Sequence, residues 1–470
     1  MQGYLGILPV GWLALGGVSG LLLGTFRKAR RLLYGWSLAF ALGGVALGAY
    51  LSWKVPMPSS TFFGMAWGGG LYSFVSAGIG FISAIGLSFL HYHLRQHGGD
   101  RGWEALPLSL LMAAALTALS ASNHLILSVV ALETVSLGAY VLAALSWEDR
   151  FAPEAAVKYF LLSTLGFVLL LFGLSYLYGI SGTLYLHHLR ILKWEAWQGS
   201  GLYILALSFI GMGLFVKLSV FPFHWWAPDV YGGATPGATG MLVAFGKLNA
   251  TFLAVQILHV VKIPAAWLMG GAVLGAISAL YGNLSALGQP TLQRALAYSS
   301  VAHGGYLLLG LVSGAEGRLQ AQAYAMVYGI MSSLAFGLLA LAAEPLEYKA
   351  LRGLGYQKPT YAIALAVALA SLSGLPPFAG FFAKYAVFAS AFRAGHVGAT
   401  IAAIVAAVIG YFYYWRPIAW MFQPGEGHLP VRTALATGTI VLLILGVIPA
   451  IVWGWMDYLY GLAGYFQTQP

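Results

Sequence analysis

The sequence predicts an all-α, polytopic membrane protein with about fourteen transmembrane helices. Hydrophobic residues make up 60% of the 470 residues, and charged residues make up only 8%. A typical soluble domain has about 25% charged residues. Many apolar runs approach the roughly 20 residues that a helix needs to cross a bilayer. Because so little polar sequence is available to cover a globule of this size, no separate soluble domain is expected.

Fourteen apolar segments are predicted as membrane spans, with short connections between most of them. They lie near residues 4–25, 33–53, 67–91, 105–122, 125–146, 155–178, 202–221, 237–261, 264–286, 294–313, 320–343, 360–393, 397–423 and 434–455. The first is interpreted as a retained span and not a cleaved signal, since no basic residue precedes it. The longest connections are 179–201, which is expected to hold a short interfacial helix, and 344–359.

The distribution of basic residues predicts the orientation in the membrane. Loops after odd-numbered spans hold 13 Lys and Arg when Arg294 and Arg416 near span ends are included, and loops after even-numbered spans hold 6 when Arg393 is included. Because basic loops stay in the cytoplasm, the odd-to-even loops are expected there, with both termini outside. The net charge of +10 is therefore interpreted as topogenic, and no basic-aromatic module indicates nucleic acid. The absence of cysteine excludes thiolate metal sites and cysteine-ligated iron–sulfur clusters from this chain.

Two predicted spans contain helix breakers close to a lysine. In the seventh, Lys217 precedes Pro222, and in the twelfth, Pro376 and Pro377 precede Lys384. Proline disrupts a helix, and broken backbone in a membrane must face protein or water. The reversed order of lysine and break fits two inverted five-helix repeats, spans 4–8 and 9–13, although simple kinks would also account for it.

This division gives four parts of the chain. They are 1–104, with three N-terminal spans; 105–262, a first five-helix repeat broken near 217–223; 263–423, a second, inverted repeat broken near 373–381; and 424–470, a last span and tail.

Four lysines and one glutamate lie inside predicted spans. A charge at the bilayer centre costs at least about 2.5–3.5 kcal/mol on insertion scales, so five such groups indicate function. The alternatives are snorkelling of the lysines to the interface, which fits Lys158 best because it lies near a span end, and a structural ion pair for the glutamate. The five residues are Glu133, Lys158, Lys217, Lys247 and Lys384.

Their charges predict a proton relay. If all were ionised, four lysines and one glutamate would leave a charge of +3 within the membrane. Burial and like-charge repulsion both disfavour the ammonium form, so one or more lysines is expected to be neutral for part of the time. Pairing with Glu133 would hold Lys217 charged, and loss of that pair would release a proton. His224 and His303 lie in apolar surroundings and suit a relay, or are ordinary hydrogen-bonded core residues.

Three stretches resemble a known family. They are KLSVFPFHWWAPDVYGGATP (217–236), QRALAYSSVAHGGYLLLG (293–310) and SGLPPFAGFFAKY (373–385). They are similar to the proton-translocating, antiporter-like subunits of respiratory complex I, in particular subunit N of NADH-quinone oxidoreductase, also called subunit 2. The similarity covers roughly residues 105–420, and GGATPGATG (232–240) departs from the usual loop pattern.

The resemblance implies fourteen helices in inverted repeats and a role for each charged residue. Glu133 resembles the fifth-helix glutamate of the family, and Lys217 its lysine partner on the seventh helix. Lys247 resembles the central lysine of the eighth helix. Lys384 resembles the lysine on the second broken helix, which leads to the exit side. Lys158 resembles an additional lysine on the sixth helix.

The resemblance also implies that His224 and His303 are relay members, because both fall in matching motifs.

The resemblance implies partners as well. The chain itself is expected to bind no cofactor, whereas NADH, FMN, iron–sulfur clusters and quinone would bind partner subunits. Those partners would include homologous antiporter-like subunits, within a bacterial-type plasma membrane or another energy-coupling membrane such as the thylakoid.

Other functions remain open at this stage. A subunit of a multi-subunit sodium/proton antiporter shares the helical core, as does a relative of complex I that is linked to ferredoxin or hydrogenase. A third alternative is a non-pumping structural subunit in which the lysines form permanent ion pairs. A solute transporter is a fourth, although the sequence indicates no substrate pocket.

Overall fold

The computed structural model describes residues 5–55, 59–96, 102–145, 151–341 and 347–425. Within these ranges the chain is almost entirely helical. The seventeen helices are α1 (Leu8–Gly24), α2 (Leu33–Lys54), α3 (Gly70–Gln96), α4 (Ala105–Ala121), α5 (Leu125–Ala143), α6 (Phe151–Ser181), α7 (Leu186–Arg190), α8 (Gly201–Leu218), α9 (Trp226–Gly233), α10 (Pro236–Val260), α11 (Ala265–Leu287), α12 (Leu292–Leu311), α13 (Gly314–Leu339), α14 (Leu354–Gln357), α15 (Pro359–Ser373), α16 (Ala379–Arg393) and α17 (Val397–Met421).

The helix bounds follow the predicted spans closely. In the described ranges, nine helical segments are long and apolar enough to cross a membrane, and α1, α4 and α15 are shorter apolar helices. The short helix expected in 179–201 is α7. The predicted span 434–455 lies outside the described residues, so the total of fourteen spans stays a prediction.

A small β-hairpin was not expected from the sequence. Strands β1 (Ser59–Thr61) and β2 (Ala66–Gly68) pair antiparallel between α2 and α3. The hairpin packs against the turn between α4 and α5, where the Asn123 side chain donates a hydrogen bond of 2.9 Å to the Gly64 carbonyl. Each strand has only three residues, which is too short for an alternating apolar pattern to reveal it.

The centre of the molecule is formed by α10, α12 and α13. Most residues of these three helices are buried. Helix α10 packs along α13, and α12 packs between α11 and α13. By contrast, α6, α11 and α17 carry many exposed large apolar side chains, as expected of helices at the lipid-facing surface.

The prolines noted in two predicted spans lie in short connections between helices. Helix α8 ends at Leu218, and Ser219 then has a left-handed backbone (φ +51°) before α9 begins at Trp226. Helix α15 ends at Ser373, and Gly374 follows with φ +85° before α16 begins. Glycine adopts this conformation without steric penalty, which explains its use at the second helix end.

Candidate functional site

Lys217 and Glu133 form an ion pair inside the protein. Lys217 is the penultimate residue of α8, and its side chain is only 8% exposed. Its Nζ lies 3.4 Å from Oε2 of Glu133 on α5, so the pair predicted from the sequence is present. The Tyr140 hydroxyl donates to the other carboxylate oxygen of Glu133 at 3.3 Å. The negative charge that faces Lys217 is therefore itself held in place by a tyrosine.

Two serines hold Lys217 more closely than the carboxylate does. Nζ donates to Ser136 Oγ and to Ser163 Oγ, each at 2.8 Å. An ammonium group has three donors, so the two serines and Glu133 together use all of them. Because the serine contacts are the shorter ones, the pair with Glu133 could lengthen while Lys217 stays in position. These serines were not predicted from the sequence.

Lys247 is the most deeply buried of the lysines. It lies on α10 with 1% of its surface exposed. Its Nζ donates to the Leu218 carbonyl and the Ser219 hydroxyl, both at the end of α8. Both partners, a backbone carbonyl and a hydroxyl group, are uncharged. The C-terminal end of a helix carries partial negative charge, so it stabilises the ammonium form without a full counter-ion.

A glycine on α12 gives Lys247 the space it occupies. A Cβ atom at Gly304 would lie 3.0 Å from Lys247 Nζ and 2.5 Å from the Leu218 carbonyl oxygen. Any larger residue would displace the lysine or the end of α8. Gly304 therefore lets α12 approach Lys247 closely, and its neighbour in the chain is His303.

Lys384 repeats the arrangement of Lys247 at the second interruption. It is buried on α16, and Nζ donates to the carbonyls of Leu372 at 2.8 Å and Ser373 at 2.9 Å. These are the last two residues of α15. The ammonium also lies over the Tyr306 ring, 5.4 Å from its centroid, within the range of a cation–π contact.

His303 lies on the same turn of α12 as Gly304 and is fully enclosed. Its Nδ1 is 2.6 Å from the Tyr324 hydroxyl, and its Nε2 is 3.2 Å from the Tyr414 hydroxyl. Both ring nitrogens are thus engaged. Tyr306, which lies under Lys384, follows one turn later. Helix α12 consequently contacts Lys247 and Lys384 within residues 303–306.

The structure sets His224 and Lys158 apart from this group. His224 packs its ring against Phe221 and Tyr281, and as far as the described residues go it contacts none of the lysines. Lys158 is 42% exposed near the start of α6. It pairs there with Glu154 at 2.8 Å and Asp229 at 3.0 Å. The buried lysines are therefore Lys217, Lys247 and Lys384, and no group of residues in the described ranges is arranged to hold a metal ion.

A family profile and two related proteins indicate the same family for this chain. The profile described as "NADH:quinone oxidoreductase/Mrp antiporter, TM" matches residues 122–410. NADH-quinone oxidoreductase subunit N of Methylovorus glucosotrophus is 34% identical over 362 residues, which cover 74% of each chain. NADH-quinone oxidoreductase subunit 14 of Thermus thermophilus is 38% identical over 358 residues, covering 73% of this chain and 78% of that one.

Solved structures share the fold. A chain of respiratory complex I from Thermus thermophilus with bound aureothin superposes with a TM-score of 0.76 at 32% identity, covering 94% of this chain and 98% of that one. A chain of the Mrp complex from Dietzia sp. DQ12-45-1b gives 0.82 at 18% identity, with 97% and 96% covered. At that identity the second likeness concerns the fold alone.

The fold and the matching family together define an antiporter-like, all-helical, multi-pass membrane protein. Within that class, this chain belongs to the subunit N family of NADH-quinone oxidoreductase, as its sequence motifs predicted.

Proposed function

We propose that this chain is a proton-translocating membrane subunit of complex I. Its neighbours would be the other membrane subunits, including homologous antiporter-like ones, in a bacterial-type plasma membrane. NADH, FMN, iron–sulfur clusters and quinone would bind partner subunits, and their redox chemistry would drive one proton path here. The observation that carries the proposal is the full burial of Lys247 against neutral groups in a member of this family.

The two interruptions support a division into inverted repeats. In each one, a lysine ammonium donates to carbonyls at the C-terminal end of a helix: Lys247 at the end of α8 and Lys384 at the end of α15. We propose that these are the broken helices of repeats 105–262 and 263–423. Parts 1–104 and 424–470 then flank the repeats, and both termini lie outside the cytoplasm.

The relay begins at the Glu133–Lys217 pair. A change arriving from the neighbouring subunit weakens or strengthens this pair, and Lys217 trades its proton with Lys247. Transfer between these two lysines is supported by the hydrogen bonds of Lys247, because its Nζ donates to Leu218 and Ser219, the two residues that directly follow Lys217. Moving one charge against 100 mV requires about 2.3 kcal/mol. The interaction energy of a single buried ion pair is large enough to supply this.

The second half of the relay leads to the outside. His303 directly precedes Gly304, which approaches Lys247, and lies one turn before Tyr306, which contacts Lys384. In the proposed relay it bridges the two lysines, and Lys384 passes the proton to the exit. Lys158 and His224 remain in the proposed relay, although both lie apart from the three buried lysines. Lys158 is held by two carboxylates near the start of α6, where it could exchange protons with the cytoplasmic side.

A sodium/proton antiporter subunit is the main alternative, since the Mrp complex chain shares the fold. The higher identity to subunit N relatives favours complex I. The test uses the purified complex in sodium-free vesicles, supplied with NADH and a quinone, while a dye reports internal pH. A pH gradient without sodium supports the proposal. A gradient that requires sodium would favour the antiporter, and one driven by reduced ferredoxin but not NADH would indicate the ferredoxin-linked relative.

A further inference from the structure

Two tyrosines form hydrogen bonds with His303, and neither has a role in the relay from Lys217 to Lys384. Tyr324 on α13 and Tyr414 on α17 are buried, and each places its hydroxyl on a different nitrogen of the same imidazole. The sequence separates them by 90 positions, and His303 comes from a third helix. Three helices thus converge to build one unbroken line of hydrogen bonds: hydroxyl, imidazole, hydroxyl.

We propose that Tyr324, His303 and Tyr414 form a one-proton relay between Lys247 and Lys384. This inference rests on the proposed function and adds two residues to it. Neutral imidazole has one donor nitrogen and one acceptor nitrogen, and a tyrosine hydroxyl donates and accepts at once. The line can therefore point in either direction, which is the property that proton transfer along it requires.

The transfer leaves Tyr324, His303 and Tyr414 neutral, while the donor lysine becomes an amine and the acceptor lysine becomes an ammonium. At the start, the Tyr324 hydroxyl donates to Nδ1, and the Nε2 proton is donated to the Tyr414 oxygen. A proton from a lysine ammonium reaches the Tyr324 oxygen through water, and the hydroxyl proton of Tyr324 moves to Nδ1. The Nε2 proton moves to Tyr414, whose own proton leaves through water to a neutral lysine amine. One proton enters and one leaves, and the imidazole ends in its other tautomer.

A second proton cannot follow in the same direction until an unprotonated ring nitrogen of His303 again faces Tyr324. That reset requires the ring to turn over about its Cβ–Cγ bond, whereas movement of the proton back along the line would undo the transfer. Tyr328 stacks on the imidazole with 4.3 Å between ring centroids, and this contact slows the turning of the ring. The relay therefore passes one proton per reset and opposes a continuous leak between the two lysines.

A neighbouring line of hydrogen bonds lacks this property. The Tyr413 hydroxyl donates to Asn283 Oδ1, and Asn283 Nδ2 donates to the Tyr306 hydroxyl, each at 2.9 Å. A side-chain amide has donors on nitrogen and acceptors on oxygen only, so it does not exchange them as imidazole does. This second line holds Tyr306 under Lys384, but a proton cannot pass along it beyond Asn283.

The experiment compares three tyrosine-to-phenylalanine variants in the whole complex. Tyr324→Phe and Tyr414→Phe each keep the ring and remove one hydroxyl of the relay. Tyr361→Phe is the matched control, because this tyrosine is equally buried but its hydroxyl only donates to the Leu338 carbonyl at 2.9 Å. Assembly is checked by native gel. The initial rate of pH-gradient formation is recorded with the rate of NADH oxidation, in H₂O and D₂O.

We expect Tyr324→Phe and Tyr414→Phe to lower the rate of gradient formation at least about tenfold, since a positioned proton-transfer group contributes roughly 10²–10⁴-fold, and Tyr361→Phe to leave it unchanged. A wild-type gradient and isotope effect in either relay variant would overturn the inference. An equal loss in the control would do so too, because the losses would then be structural. If a phenylalanine variant fails to assemble, 3-fluorotyrosine at that position keeps the shape and changes only hydroxyl acidity. An unchanged rate with it overturns the relay.

The Lys247→Ala variant separates this inference from the function on which it rests. If Lys247→Ala abolishes the gradient and the tyrosine variants do not, only the relay through His303 is wrong. If Lys247→Ala also keeps a wild-type gradient, the proposed function itself fails.

Discussion

The ion pair between Glu133 and Lys217 is the contact through which we expect an electrostatic change to reach the buried lysines. Glu133→Gln removes the negative charge, but the new amide oxygen can still accept the hydrogen bond that Tyr140 donates. Two unit charges at the observed 3.4 Å attract each other by about 5 kcal/mol at an effective dielectric constant near 20. This is about twice the 2.3 kcal/mol that one charge requires against 100 mV.

Without that attraction, the protonated form of Lys217 keeps its two serine hydrogen bonds but loses its counter-charge, so we expect the relay to lose its input step. The assay records NADH oxidation and the pH gradient together in vesicles that contain the assembled complex. We expect Glu133→Gln to lower the rate of gradient formation at least about tenfold, since 1.4 kcal/mol of lost attraction already corresponds to a tenfold change.

The matched control is Glu195→Gln. Glu195 pairs with Lys262, but both side chains are more than half exposed, and such pairs contribute only about 0–1 kcal/mol. The control should therefore pump as the wild type does. A wild-type gradient in Glu133→Gln would refute the reasoning. So would an equal loss in Glu195→Gln, because the position of the pair would then not matter.

Three further predictions concern a glycine, a serine and the orientation of the chain in the membrane. Gly304→Ala should destabilise the subunit by about 1–3 kcal/mol, because its Cβ would lie 2.5 Å from the Leu218 carbonyl oxygen; a lower melting temperature of the complex would show this, and an unchanged one would contradict it. Ser163→Ala removes one acceptor of the Lys217 ammonium, so gradient formation should slow, with a loss smaller than that caused by Glu133→Gln. Because the chain has no cysteine, Lys28→Cys and Lys193→Cys each add a single thiol to it. An impermeant maleimide should label Lys28→Cys from the cytoplasmic side and Lys193→Cys from the outside, and the reverse pattern would contradict the predicted orientation.

The positions of the long helices could be predicted from the sequence because span length is fixed by the bilayer. The predicted span 237–261 is helix Pro236–Val260, and 397–423 is Val397–Met421. Charged residues inside such spans stand out against the apolar background, which is why Lys217, Lys247 and Lys384 were found. A hairpin of two three-residue strands carries no comparable signal.

The neutral members of the site could not be predicted, because their role depends on how the helices are rotated against each other. Ser136 and Ser163 accept hydrogen bonds from Lys217, but serine within a span is as often a helix-packing residue. Tyr324 and Tyr414 meet only through the packing of α13 and α17 around α12. The position of Lys158 near a span end already favoured snorkelling, but its two carboxylate partners, Glu154 and Asp229, could not be predicted.

The central claim is that this chain carries a proton path through Lys247, and the Lys247→Ala variant tests it most directly. Membranes that contain the variant are checked for assembly by native gel, and donor-driven electron transfer is recorded together with the pH gradient. We predict an assembled complex whose gradient collapses, because the variant lacks the ammonium that donates to the end of α8. Wild-type electron transfer together with a wild-type gradient would contradict the account, since Lys247 would then be a structural residue.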